Sequence, residues 1–164
     1  MIIQNQSKEL NLGRAGEYLV LADLLLKGFQ AYDTGQGVSY DVVVDYKNIL
    51  IRLQVKTTQK IRKIKQRSNP IYFFHLKRSG KNGNKFYQQG MFDGFALVAL
   101  DRKEIFYLLF DEKIKTSSIC IRDKNIDYSG NRGGGRSGLY LQDLNWQNFI
   151  KRWENYTGDK AIKI

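Results

Sequence analysis

Apolar positions along the chain fall into a few distinct patterns, and each pattern predicts a different element. Leu12, Ala15, Leu19, Ala22 and Leu26 recur at the three- and four-residue spacing of one helix face. Ser7 stands before them as a cap and Gly28 after them as a stop, so a helix is expected over residues 7–27 with that stripe against a sheet. Glu17 lies on this helix outside the stripe. A short strand is expected near residues 29–32, followed by a turn at 34–37. Two apolar runs come next, Asp41-Val42-Val43-Val44 and Ile49-Leu50-Ile51-Arg52-Leu53-Gln54-Val55, with Lys47 and Asn48 between them as a turn. They read as a β-hairpin. Residues 71–76 form a further strand, with Pro70 tolerable at its start. Runs 95–100 and 105–110 are continuously apolar, as expected of central strands covered on both faces. Trp146, Phe149, Ile150 and Trp153 share a face of a closing helix that begins at Leu144 or Asn145 and runs to Tyr156. Together these elements predict an α/β fold, a mixed central β-sheet flanked by helices. No internal repeat or compositional break appears, and 164 residues suit a single domain over 1–164 with a real core.

Charge narrows the function. The formal net charge is +11, and no Asp or Glu occurs between Asp45 and Asp93. That acid-free stretch repels itself unless a polyanion lies on it, so nucleic acid is the expected partner. Lys60, Arg62, Lys63, Lys65, Arg67, Lys77, Arg78, Lys81 and Lys85 are the candidate DNA contacts. Phe73, Phe74, Phe86 and Tyr87 carry rings that can stack on bases, but their strand setting favours packing in a core. His75 is the only histidine, which leaves little for histidine triads or histidine metal centres, and it reads as a packed strand residue or a backbone contact. The single Cys120 permits no internal disulfide and reads as a small buried strand residue, so a reducing compartment is expected. No signal pattern or membrane-spanning run is present, which predicts a cytoplasmic, nucleoid-associated protein. Residues 130–137 approach a phosphate-binding loop, but Arg136 stands where the lysine belongs and no apolar strand precedes it. A basic loop is the expectation there.

The hairpin carries the chemistry. Asp41 opens its first strand, and Gln54 and Lys56 lie near the close of the second. Side chains two apart share a face, and the antiparallel return brings Asp41 opposite them. A carboxylate, an amide oxygen and an ammonium are thus gathered at one place. Mg²⁺ takes oxygen ligands and often only one or two carboxylates. Asp41 and Gln54 are the candidate metal ligands, with the Val55 backbone carbonyl as a third. Lys56 would sit beside the water or the scissile phosphate and offset charge building on phosphorus.

These residues and their neighbours resemble the PD-(D/E)XK nuclease superfamily, and within it the group I intron-associated homing endonucleases that carry Gln before X-Lys. The resemblance rests on Gly13-Arg14-Ala15-Gly16-Glu17-Tyr18-Leu19-Val20, Tyr40-Asp41-Val42-Val43-Val44, Leu53-Gln54-Val55-Lys56-Thr57-Thr58 and Phe92-Asp93-Gly94-Phe95-Ala96-Leu97-Val98. It departs from the superfamily name at Tyr40, where that name has Pro, and at Gln54, which removes a negative charge. The resemblance implies a restriction-endonuclease-like core and Mg²⁺-dependent, site-specific cleavage of double-stranded DNA by a homo-oligomer, dimer or tetramer. It also implies that Glu17 joins Asp41, Gln54 and Lys56 at the catalytic site as a further metal-site residue. Asp45 and Asp93 are rivals for that acidic position, Asp45 lying far along its strand. A Holliday-junction resolvase or restriction enzyme on the same scaffold is one alternative. A non-catalytic DNA-binding module with a weakened metal site is another.

Overall fold

The computed structural model describes residues 7–35, 37–63, 69–77, 86–111, 114, 117–128 and 138–161. In chain order the elements are α1 (Lys8–Leu26), β1 (Gln30–Asp33), β2 (Val42–Tyr46), β3 (Ile49–Thr58), β4 (Tyr72–His75), β5 (Gly94–Ala99), β6 (Glu104–Leu109), β7 (Ser118–Arg122), β8 (Leu139–Tyr140) and α2 (Trp146–Ala161). Five strands form a mixed sheet in the order β1-β2-β3-β5-β6, in which only β3 and β5 run parallel. A smaller sheet follows the order β4-β7-β8. The hairpin turn forms as the sequence predicts: Lys47 (φ 52) and Asn48 (φ 65) both take the left-handed conformation that a two-residue connection needs.

Strand alternation divides the core in two. Val42, Val44, Ile51, Leu53, Val55, Ala96, Val98 and Tyr107 face the helices, where Val20, Leu24, Trp146 and Phe149 complete one cluster. Phe95, Leu97, Ala99, Phe106 and Leu108 face the smaller sheet and pack with its Tyr72, Phe74 and Ile121. The larger sheet is therefore a middle layer. β5 is buried along its whole length, as expected of a central strand. β6 is covered on both faces but lies at the sheet edge, which continuous hydrophobicity alone does not distinguish.

Helix α1 is capped as predicted: the Leu10 amide donates to the Ser7 hydroxyl at 3.3 Å, and the chain leaves through Gly28 at φ +86. Its packed face differs from the predicted stripe. The buried positions are Gly16, Val20 and Leu24, whereas Ala15 and Ala22 are exposed and Leu26 is 89 % exposed. The cause is Gly16. A Cβ there would stand 2.0 Å from the Thr57 hydroxyl oxygen, so the helix backbone lies directly on β3 where glycine leaves room. This rotation moves Glu17 from outside the packed stripe to its half-buried flank.

The smaller sheet brings two further corrections. His75 and Cys120 are strand residues, as predicted, but both are exposed rather than packed, because that sheet buries only its inner face. No helix among the described residues is long and apolar enough to cross a membrane. The 130–137 loop and the candidate DNA contacts Lys65, Arg67, Arg78, Lys81 and Lys85 lie outside the described residues.

Candidate active site

Asp41 sits just before β2, and its amide donates to the Leu53 carbonyl at 2.9 Å. Because Val42 pairs with Leu53, Asp41 falls across from Gln54 on the same face of the sheet. One Asp41 carboxylate oxygen, Oδ2, accepts the Val55 amide at 2.7 Å and the Gln54 side-chain amide. The same Gln54 Nε2 donates to the Val55 carbonyl at 3.3 Å. Carboxylate, side-chain amide and backbone carbonyl thus meet at one point, with the Gln54 nitrogen, not the expected oxygen, turned toward the other two. Gln54 is the one buried polar side chain among the described residues, and these two acceptors are what make that burial tolerable.

Lys56 lies two residues on, half-buried, on the same face of β3. Its ammonium donates to the Lys77 carbonyl at 3.2 Å and stands 5.0 Å from the Tyr87 ring centroid. Its charge favours the ionised form of Asp41. Burial outweighs that help and pushes the Asp41 carboxyl above the usual aspartate range. The Val55 N–H opposes the shift, and the charges of Glu17 and Asp33 add to it.

Glu17 therefore belongs to the electrostatic neighbourhood of Asp41. Two further residues of that neighbourhood escape the sequence reading. Arg14 on α1 splits its guanidinium between Glu17 Oε2 at 2.8 Å and Asp33 Oδ2 at 3.0 Å. Asp33, at the end of β1, pairs in register with Val42, the residue after Asp41. Local spacing announces only the Arg14–Glu17 pair, three residues apart on α1; the crossing of α1 over the first strands is what brings Asp33 to it.

The two rival acids stand elsewhere. Asp45 pairs with Leu50 toward the turn end of the hairpin. Asp93 is engaged by Arg52: its Oδ2 accepts the Arg52 backbone amide at 2.8 Å and Nε at 3.0 Å, and its Oδ1 accepts Nη2 at 3.2 Å. Of the candidate DNA contacts, Lys60, Arg62 and Lys63 are exposed, and Lys77 is half-buried just past β4.

The donors at the hairpin end suit a hard divalent cation, since all three are oxygen-bearing groups of the kind Mg²⁺ accepts. No cluster of three or more Asp, Glu, His or Cys side chains arranged for a metal occurs among the described residues. Gln54 turns its nitrogen toward the other two oxygens, so ligation requires the amide to rotate and present its oxygen instead.

A family model described as PD-(D/E)XK endonuclease matches residues 7–131. Among solved structures, the chain is similar to a bacterial homing endonuclease, I-Ssp6803I, at 21 % identity and a TM-score of 0.58, over 77 % of this chain and 84 % of that one. No curated protein matches the chain. The family match takes in α1, the hairpin with its strand-end carboxylate and the whole larger sheet, and on it the chain belongs to the PD-(D/E)XK endonuclease family.

Proposed function

We propose that this chain is a Mg²⁺-dependent, site-specific double-strand DNA endonuclease of homing type. In this reading it is a single nuclease domain that works as a cytoplasmic, nucleoid-associated homo-oligomer, dimer or tetramer, since two cuts in opposite strands need two copies of one site. The observation that carries the reading is the convergence of Asp41, Gln54 and the Val55 carbonyl at the end of one hairpin, with Lys56 two residues beyond.

Asp41, Gln54 and the Val55 carbonyl would hold the cation, with Glu17 assisting through its charge. When bound, Mg²⁺ supplies Lewis acidity at a phosphoryl oxygen. Lys56 contributes a fixed positive charge beside the reacting phosphate, stabilising the charge that builds there. Its ties to the Lys77 carbonyl and the Tyr87 ring keep that charge in place. The basic residues Lys60, Arg62, Lys63 and Lys77 would pair with backbone phosphates, together with Lys65, Arg67, Arg78, Lys81 and Lys85.

A plasmid-nicking assay with and without Mg²⁺ tests this directly. Asp41→Ala and Lys56→Ala should each reduce cleavage by about 10²–10³-fold or more, the loss typical of removing one charge-stabilising group. DNA binding should be nearly unchanged. Full cleavage by either variant removes that residue from the mechanism. A branched substrate preferred over a linear one would shift the reading to junction resolution. A second reading, a DNA-binding module without catalysis, draws on the neutral Gln54 amide facing Asp41, and it predicts no metal-dependent nicking by the wild type.

A further inference from the structure

The outer face of the smaller sheet is exposed, basic and connected to the active strand. In β4, Tyr72 and Phe74 point into the core, while Phe73 and His75 point away from it. Across the ladder, Cys120 pairs with Phe73 and Ser118 with His75, so these four residues share the outer face. His75 and Cys120 are exposed. The Arg62 guanidinium stands 5.0 Å from the Phe73 ring centroid, and Phe73 meets His75 edge-to-face at 4.9 Å. Exposed Lys60 and Lys63 flank Arg62 in the chain. At the other end, Lys77 follows β4, and its carbonyl takes the Lys56 ammonium. The row Lys77, His75, Phe73, Arg62 therefore begins beside the catalytic strand and runs outward from it.

We propose that this face is a docking surface for duplex DNA, gripping the stretch on one side of the scissile phosphate. The inference rests on the nuclease reading of the Asp41 site and adds a place and a direction to it. Charge complementarity selects the partner: the sequence holds no acid between Asp45 and Asp93, so the chain of β4 and the segments that lead into and out of it carry cations and no carboxylate of their own. Length agrees as well. Four residues of strand at about 3.3 Å each span about 13 Å, or roughly four steps of a nucleic acid strand. Arg62 and Lys77 contact phosphates at the two ends of the row. Phe73 and His75 face the groove between them, in the manner of sheets that read DNA with a strand.

Cys120 is the only cysteine and lies beside Phe73, so the unaltered protein carries its own reporter. The experiment measures the rate of maleimide labelling of Cys120 in chelator, with and without a mixed-sequence synthetic duplex whose binding is followed by anisotropy. Labelling should slow about tenfold when free duplex is ten times its Kd. The protection should disappear at high salt. The double variant Arg62→Ala/Lys77→Ala should flatten the dependence of log K on log salt by about two units, near 0.9 per lost phosphate contact. Bound duplex with unslowed labelling overturns the proposal, as does a complete lack of duplex binding. Protection that follows protein concentration without DNA would assign the face to a second copy of the chain, and that also overturns it. Plasmid nicking by the same preparation separates the two readings. Nicking with unprotected Cys120 leaves the nuclease standing and removes this surface. Protection without nicking does the reverse.

Discussion

Arg52 and Gln54 stand two residues apart on one face of β3, and each meets an aspartate that precedes a neighbouring strand. Asp93, before β5, receives a full cation: two guanidinium nitrogens and a backbone amide, with a third guanidinium nitrogen tied to the Gly90 carbonyl. Asp41, before β2, receives a neutral side-chain amide and one backbone N–H. The local geometry is similar, but the charge balance is not. Asp93 is neutralised in place and fastens the start of β5 to β3. Asp41 is partly buried, shares its surroundings with Glu17 and Asp33, and draws on Lys56 as its compensating charge. Such a carboxylate is suited to accept an external cation, whereas Asp93 is already occupied.

Exchanging the chemistry at each position should separate the two roles. Among these exchanges the largest effect is expected at Gln54. Gln54→Ala should lose almost all nicking, about 10²-fold or more by analogy with loss of one stabilising group, whereas Gln54→Glu should keep some, because a carboxylate is also a Mg²⁺ ligand. An alanine variant that cuts like wild type would show that Gln54 binds no metal. Next comes Asp93→Ala, whose loss should appear in stability. Arg52 and Asp93 retain 33 % and 22 % side-chain exposure, so the cost should fall to about 2 kcal/mol, below the 3–5 typical of a fully buried pair. Thermal unfolding should drop by roughly 2–4 °C per kcal/mol, while the folded fraction still nicks DNA.

The smallest effect concerns Asp41 itself, measured in chelator. Its raised pKa means that the folded chain holds the proton more tightly than the unfolded chain does. Stability attributable to this group therefore falls as pH rises from the ordinary aspartate range through the raised value, and then levels off. Asp41→Asn should raise the melting temperature at neutral pH, and the gain should vanish in acid. A lower melting temperature at neutral pH would show that the hydrogen bonds of Asp41 outweigh its burial.

The hairpin was legible because three signals agreed: two apolar runs, a Lys-Asn turn and polar side chains two apart. The α1 face was misread because Gly16 adds nothing to a count of apolar residues, although its missing Cβ is what lets the helix touch Thr57. Arg14 and Asp33 were not legible because they meet only through the crossing of α1 over β1. His75 and Cys120 were misplaced for another reason. Tyr72-Phe73-Phe74-His75 reads as a uniformly apolar strand, and whether its second face is covered depends on the layer beyond.

The single parallel pairing in the larger sheet has a kinetic consequence. β3 meets β2 through a two-residue turn, but it meets β5 only after the chain has passed through β4 and its flanks. Closing the longer loop costs more entropy, and hairpins form within microseconds, so β2 and β3 should join before β5 arrives. The contact between Asp41 and the Val55 amide belongs to that early unit. During refolding, amides of the hairpin should gain protection from hydrogen exchange before those of β5. The groups meant for the cation would then be in register before the core that buries them has closed.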